Sequence, residues 1–88
     1  MSRNLIMEIF YRSLYINNST IRPPFIPESG FIIRIGEMTF CVNGIFFGGV
    51  DITKIVTDRH HYQVNISYNE MPPEMFEIIF QYIKENFI

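Results

Sequence analysis

The sequence contains no alanine and only two leucines, Leu5 and Leu14. Isoleucine, phenylalanine and asparagine take their place, and these residues have AT-rich codons. The bias points to an AT-rich genome such as that of a virus or phage, and it says nothing of chemistry. Cysteine occurs once, as Cys41, so no internal disulfide can form. Set between Phe40 and Val42, it reads as a small buried hydrophobe and not as a nucleophile, which would need an activating base beside it. No apolar run approaches the roughly 20 residues of a membrane span, and no signal peptide is recognisable. The expected location is therefore the cytoplasm, the host cytoplasm if the source is viral. The glycosylation sequons at Asn17, Asn18 and Asn65 are then chance products of an Asn- and Ser-rich chain. Basic residues do not cluster either. The formal charge is −2 with both signs interspersed, so no basic stripe follows a phosphate backbone, and neither nucleic acid nor a membrane is the expected partner.

What is present is a surplus of apolar side chains. The 88 residues allow one domain, and 48% of them are apolar and 16% aromatic. A domain this small buries only part of its surface. The excess reads in two ways: ordinary apolar exposure, or an interface.

Residues 3–16 carry Leu5, Ile6, Ile9, Phe10 and Leu14 at helical spacing, with Ser2 placed to cap the start. A long strand is the alternative, since Leu5, Met7, Ile9, Tyr11 and Tyr15 share a period of two. Residues 17–30 form a connector, in which Pro23, Pro24 and Pro27 lack amide protons and Ser29 and Gly30 favour turns. Residues 31–42 predict strand, turn at Gly36 and Glu37, strand. Over 43–57, Asn43-Gly44 is a two-residue hairpin signal, and Gly48-Gly49 opposes a helix. Residues 61–68 alternate, with Tyr62, Val64, Ile66 and Tyr68 on the face expected to be buried and His61, Gln63, Asn65 and Ser67 on the wet face. Residues 72–87 predict a helix that starts at Pro72-Pro73 and carries Glu74 and Glu77 near its positive end; Phe76, Ile79, Phe80, Ile83 and Phe87 form its apolar stripe, of which Phe76, Ile79, Phe80 and Ile83 are expected to be buried.

Candidate chemistry is sparse. Asp58, His60 and His61 form the one cluster with metal or acid–base potential, yet adjacent strand histidines point to opposite faces and no further ligand lies at suitable spacing. The glycines at 44, 48 and 49 lack the Lys-Ser or Lys-Thr of a phosphate loop. The expectation is no enzyme, no metal and no cofactor. The face formed by His61, Gln63 and Asn65 is the candidate ligand surface.

Phe40, Asn43, Phe46 and Phe47, then Val64 and Ile66, then Pro73 and Phe76, and finally Ile79, Phe80, Tyr82 and Ile83 follow an order with a precedent. Residues 31–47 followed by 61–87 resemble the core of BTB/POZ domains, whose fold elongin C shares. The match covers about two-thirds of the chain and rests mostly on apolar positions. It departs from the family at Asn43, where a His is usual, at Asp51, at Lys54, and at Gly48-Gly49, within a helix the family would place there. The family's later helices are absent. The resemblance implies an interaction module that dimerises through its first helix.

Together these features predict an α+β fold. It comprises an N-terminal segment and connector over 1–25 and an α+β core over 31–88, and the whole is a small BTB/POZ-like sheet with an N-terminal helix and an amphipathic C-terminal helix. The alternative is an antiparallel meander with a hairpin at 43–44, packed by one or two helices. The expected function is a self-associating protein–protein interaction module, a viral or phage accessory protein that engages a host protein. A homodimer would form through Leu5, Ile6, Ile9, Phe10 and Leu14, because a helix apolar all round cannot be satisfied by one small core. The alternative function is small-ligand or nucleotide binding on the 61–67 strand face.

Overall fold

The computed structural model describes the backbone of residues 1–17 and 30–87 and the side chains of 1–14 and 30–86. Helix α1 (Arg3–Asn17) is followed by strands β1 (Phe31–Ile35), β2 (Met38–Ile45), β3 (Gly49–Thr57) and β4 (His60–Ser67), and then by helix α2 (Pro73–Phe87). The strands pair in sequence order as one antiparallel sheet. The fold is therefore α+β, with the meander connectivity. The proline connector expected over 17–30 falls almost wholly outside the described residues.

Local chemistry explains most of the elements. The Ser2 hydroxyl accepts a hydrogen bond from the Leu5 amide at 3.2 Å, capping α1. Pro73 opens α2, where its missing amide proton costs nothing. Ile35 pairs with Met38 across Gly36-Glu37. Gly36 has φ +60°, the left-handed conformation that a tight hairpin with glycine in its first central position requires.

Two local expectations are corrected. Asn43-Gly44 is not a turn. It lies inside β2, where the register with β3 shifts between Val42 and Gly44, so Asn43 is the extra residue of a bulge. The turn comes later, closed by the Phe46 amide donating to the Gly49 carbonyl at 2.8 Å. The backbone from Phe40 through Ile45 is strand and Phe46 and Phe47 enter this turn, where the BTB/POZ resemblance implies a helix start. Gly49 shows why glycine is needed there: a Cβ would stand 2.2 Å from the Ile66 carbonyl oxygen. The second correction concerns β4. Tyr62 and Val64 are exposed, and the expected buried face begins only at Ile66.

Both helices cover one face of the sheet. Met7, Tyr11 and Leu14 of α1 and Met75, Phe76, Ile79 and Ile83 of α2 meet Ile33, Phe40, Val42, Ile45, Val50 and Ile52 in one core. The helices touch through Phe10 and Phe80, with ring centroids 4.6 Å apart. Tyr82 of α2 stacks on Phe31 of β1 at 4.3 Å. Phe80 is only partly buried, and the buried stripe of α2 instead includes Met75.

Candidate interaction surface

Tyr68, the residue after β4, anchors one end of that strand. It is wholly buried, and its hydroxyl donates to the Phe46 carbonyl at 2.5 Å. That commits its proton, so the Tyr11 hydroxyl, 3.1 Å away, donates to the Tyr68 oxygen. Burial pushes both hydroxyl pKa values well above the ordinary 10.0; the contact with Tyr68 raises Tyr11 further, while the bond from Tyr11 partly offsets the rise at Tyr68. Arg3 closes the same corner: its guanidinium donates to the carbonyls of Tyr68 and Met71 and lies 5.0 Å from the Phe76 ring centre. Tyr11 also packs on Phe47 of the β2–β3 turn, with centroids 4.5 Å apart. These contacts fix α1 over the Tyr68 end of β4.

The rest of β4 runs out from under the helices. From His60 to Asn65 every residue is exposed, whichever face it points to. Tyr62 and Val64 share the helix-side face with Lys54 and Ile52, their partners on β3, yet they are 56% and 38% exposed. Among the described residues β4 is also an edge strand, bonded to β3 alone. The result is an open backbone edge beside two unsheltered apolar side chains.

The opposite face is polar. Asn65 donates to the Asp51 carboxylate at 2.8 Å, and Asn43 donates to the Thr53 hydroxyl at 2.7 Å. Asn43, Asp51, Gln63 and Asn65 line a half-open cleft of about 300 Å³, created where the β2 bulge turns Asn43 outward. Gln63 and Asn65 of the expected ligand surface are thus brought together. His61 lies on the same face, nearer the hairpin tip, and does not line the cleft.

The expected dimer residues separate. Leu5 and Ile9 are 45% and 47% exposed, whereas Leu14 is 1% exposed. Phe10 is engaged with Phe80, and Ile6 is half-buried. Leu14 is thus consumed by the chain's own core, because the sheet and α2 together supply the second cover that α1 needs. Cys41 sits half-buried on the polar face opposite Thr53.

At the β3–β4 tip, the Thr57 hydroxyl oxygen accepts from the Arg59 and His60 amides and lies 3.1 Å from His60 Nδ1. This is turn architecture, and His60 and His61 diverge from it. Among the described residues no three His, Cys, Asp or Glu side chains are grouped to hold a metal ion, and no helix is long and apolar enough to cross a membrane.

Sequence reasoning missed Arg3, Tyr11 and the pairing role of Tyr68. The alternation through Tyr68 marked it as buried, but a buried tyrosine demands a hydroxyl partner, and that demand was the available signal. Comparison of the chain with protein-family models, with curated proteins and with solved structures finds no match.

Proposed function

We propose that this chain is a non-enzymatic protein–protein interaction module that self-associates. The observation that carries this reading is β4, an edge strand among the described residues, exposed on both faces from His60 to Asn65 with Tyr62 and Val64 uncovered. An unprotected edge offers a row of backbone donors and acceptors to another strand. Leu5 and Ile9 on α1 add apolar surface. The BTB/POZ resemblance implies the same kind of role. The AT-rich composition supports a viral or phage accessory protein acting in the host cytoplasm. Light scattering at tens of micromolar, where a specific interface of ordinary size is occupied, tests the proposal: a dimer supports it and a clean monomer removes it.

A second reading is favoured by the polar cleft, whose volume of about 300 Å³ reaches the lower end for small-ligand sites. It ranks lower because Asn43 and Asn65 already hydrogen-bond within the chain. Amide resonances of Gln63 and Asn65 shifting saturably with added nucleotide would reverse that ranking.

A further inference from the structure

The two edges of the sheet differ. β1 spans five residues and carries Arg34. β4 spans eight, with no proline, no lysine and no formally charged residue from Tyr62 to Ser67. Charged side chains, proline and bulges are the usual means by which an edge is kept from pairing. The irregularity beside β4 lies between Ile55 and Thr57 of β3, next to the tip, and leaves the remaining ladder unbroken.

The direction of the free backbone groups follows from one bond. The Tyr68 amide donates to the Gly48 carbonyl at 3.1 Å, and pairing continues without a shift from Gly49 and Ser67 to Ile55 and His61. Residues of an antiparallel strand alternate the side to which they direct their N–H and C=O. Tyr62, Val64 and Ile66 therefore spend these groups on β3. His61, Gln63, Asn65 and Ser67 direct theirs away from the sheet.

We infer that β4 pairs antiparallel with β4 of a second copy, about a two-fold axis through Gln63, so that two four-stranded sheets join edge to edge. This rests on the self-association proposed above and names its surface. Only outward-directed residues can exchange hydrogen bonds across the new ladder. Centring on Gln63 meets that condition: Gln63 faces its own counterpart, and His61 faces Asn65 of the other copy. Tyr62 then falls opposite Val64 of the other copy at a non-hydrogen-bonded position, where side chains approach most closely. Two-fold symmetry makes this aromatic–β-branched contact twice. It uses the two apolar side chains of β4 that the helices leave most exposed. No like charges oppose one another, since Tyr62 to Asn65 include no Asp, Glu, Lys or Arg and each His61 faces an asparagine.

The test combines mass in solution with three substitutions. Gln63→Pro removes an outward amide and leaves the bonds to β3 in place, as proline is tolerated on an edge. Ile9→Glu places a charge on the exposed side of α1. Gln63→Cys, in a Cys41→Ser background, puts two sulfurs across the axis, where the Cα separation of about 5.5 Å suits a disulfide. The expected result is a dimer for the unmutated chain and for Ile9→Glu, a halving of mass for Gln63→Pro with unchanged circular dichroism, and an oxidised covalent dimer for Gln63→Cys. If Gln63→Pro disturbs the fold, the double variant Tyr62→Lys and Val64→Lys replaces it, with the same halving expected. A folded Gln63→Pro or double-Lys dimer, or no cross-link, overturns the edge pairing. Dissociation by Ile9→Glu alone overturns it too, while leaving self-association standing. A monomeric unmutated chain overturns both.

Discussion

Tyr11 and Tyr68, 57 positions apart in sequence, share a buried hydrogen bond of 3.1 Å whose direction is set by the Phe46 carbonyl. Tyr68 both donates and accepts, whereas in this relay Tyr11 only donates to it. The two hydroxyls are therefore unequal. Tyr68→Phe removes the donor to the Phe46 carbonyl and the Tyr68 oxygen to which Tyr11 donates. It should cost about 1–3 kcal/mol, the range for removing one partner of a buried hydrogen bond. Tyr11→Phe leaves the bond to Phe46 intact and should cost about 0.5–1.5 kcal/mol. Urea unfolding of the two variants gives the order; equal losses would contradict the assigned direction.

The same pair makes stability fall in alkali. Both pKa values are raised in the folded state relative to the ordinary 10.0 of an unfolded tyrosine. The folded protein therefore retains protons that the unfolded chain releases. Their contribution is complete below pH 10.0 and is lost as the pH climbs above it. Two of the five tyrosines should show tyrosinate absorbance only as the chain unfolds. Smooth titration of all five with the fold intact would refute this.

Gly49 and its neighbour Gly48 offer a paired test of backbone approach. Alanine at 49 meets the Ile66 carbonyl oxygen, while alanine at 48 meets nothing within 4 Å. Gly49→Ala should destabilise by about 1–3 kcal/mol, as overpacking does, and Gly48→Ala should stay within about 0.5 kcal/mol of the parent. Thermal melts of the two variants would reveal any reversal.

Phe76 and Phe80 of α2 differ in burial, so their truncations should differ. Phe76→Ala empties a core position and should cost about 3–5 kcal/mol. Phe80→Ala should cost less, since the ring is only partly buried against Phe10. Denaturant midpoints for the two would settle the ranking.

What was legible in the sequence was local. The Gly36-Glu37 turn, the Ser2 cap and the Pro73 start each depend on residues a few positions apart, and each forms as expected. Asn43-Gly44 carries the same kind of signal, but β2 continues past it: Val42 and Ile45 on either side are both buried, and a bulge keeps them both on the core. Alternation in β4 identified a strand and its two faces. It could not reveal that the helices stop short of Tyr62 and Val64, because coverage depends on where α1 lies. That in turn is set by Arg3, Tyr11 and Tyr68, contacts that no local pattern encodes. The apolar circumference of α1 suggested a need for a second copy, and most of that need is met by α2 and the sheet.

The ties that hold α1 have a further consequence for the order of assembly. They span 57, 65 and 68 positions, whereas every strand pairs with its neighbour in sequence. Closing a long loop costs more chain entropy than closing a hairpin, so the meander should nucleate refolding and α1 should latch on last. The same helix should lift first from the native state, taking Met7, Tyr11 and Leu14 from the core while the sheet and α2 stay paired. Native-state hydrogen exchange would show this as α1 amides exchanging faster than those of β2 and β3. Equal protection would mean that the helix and the meander melt as one unit.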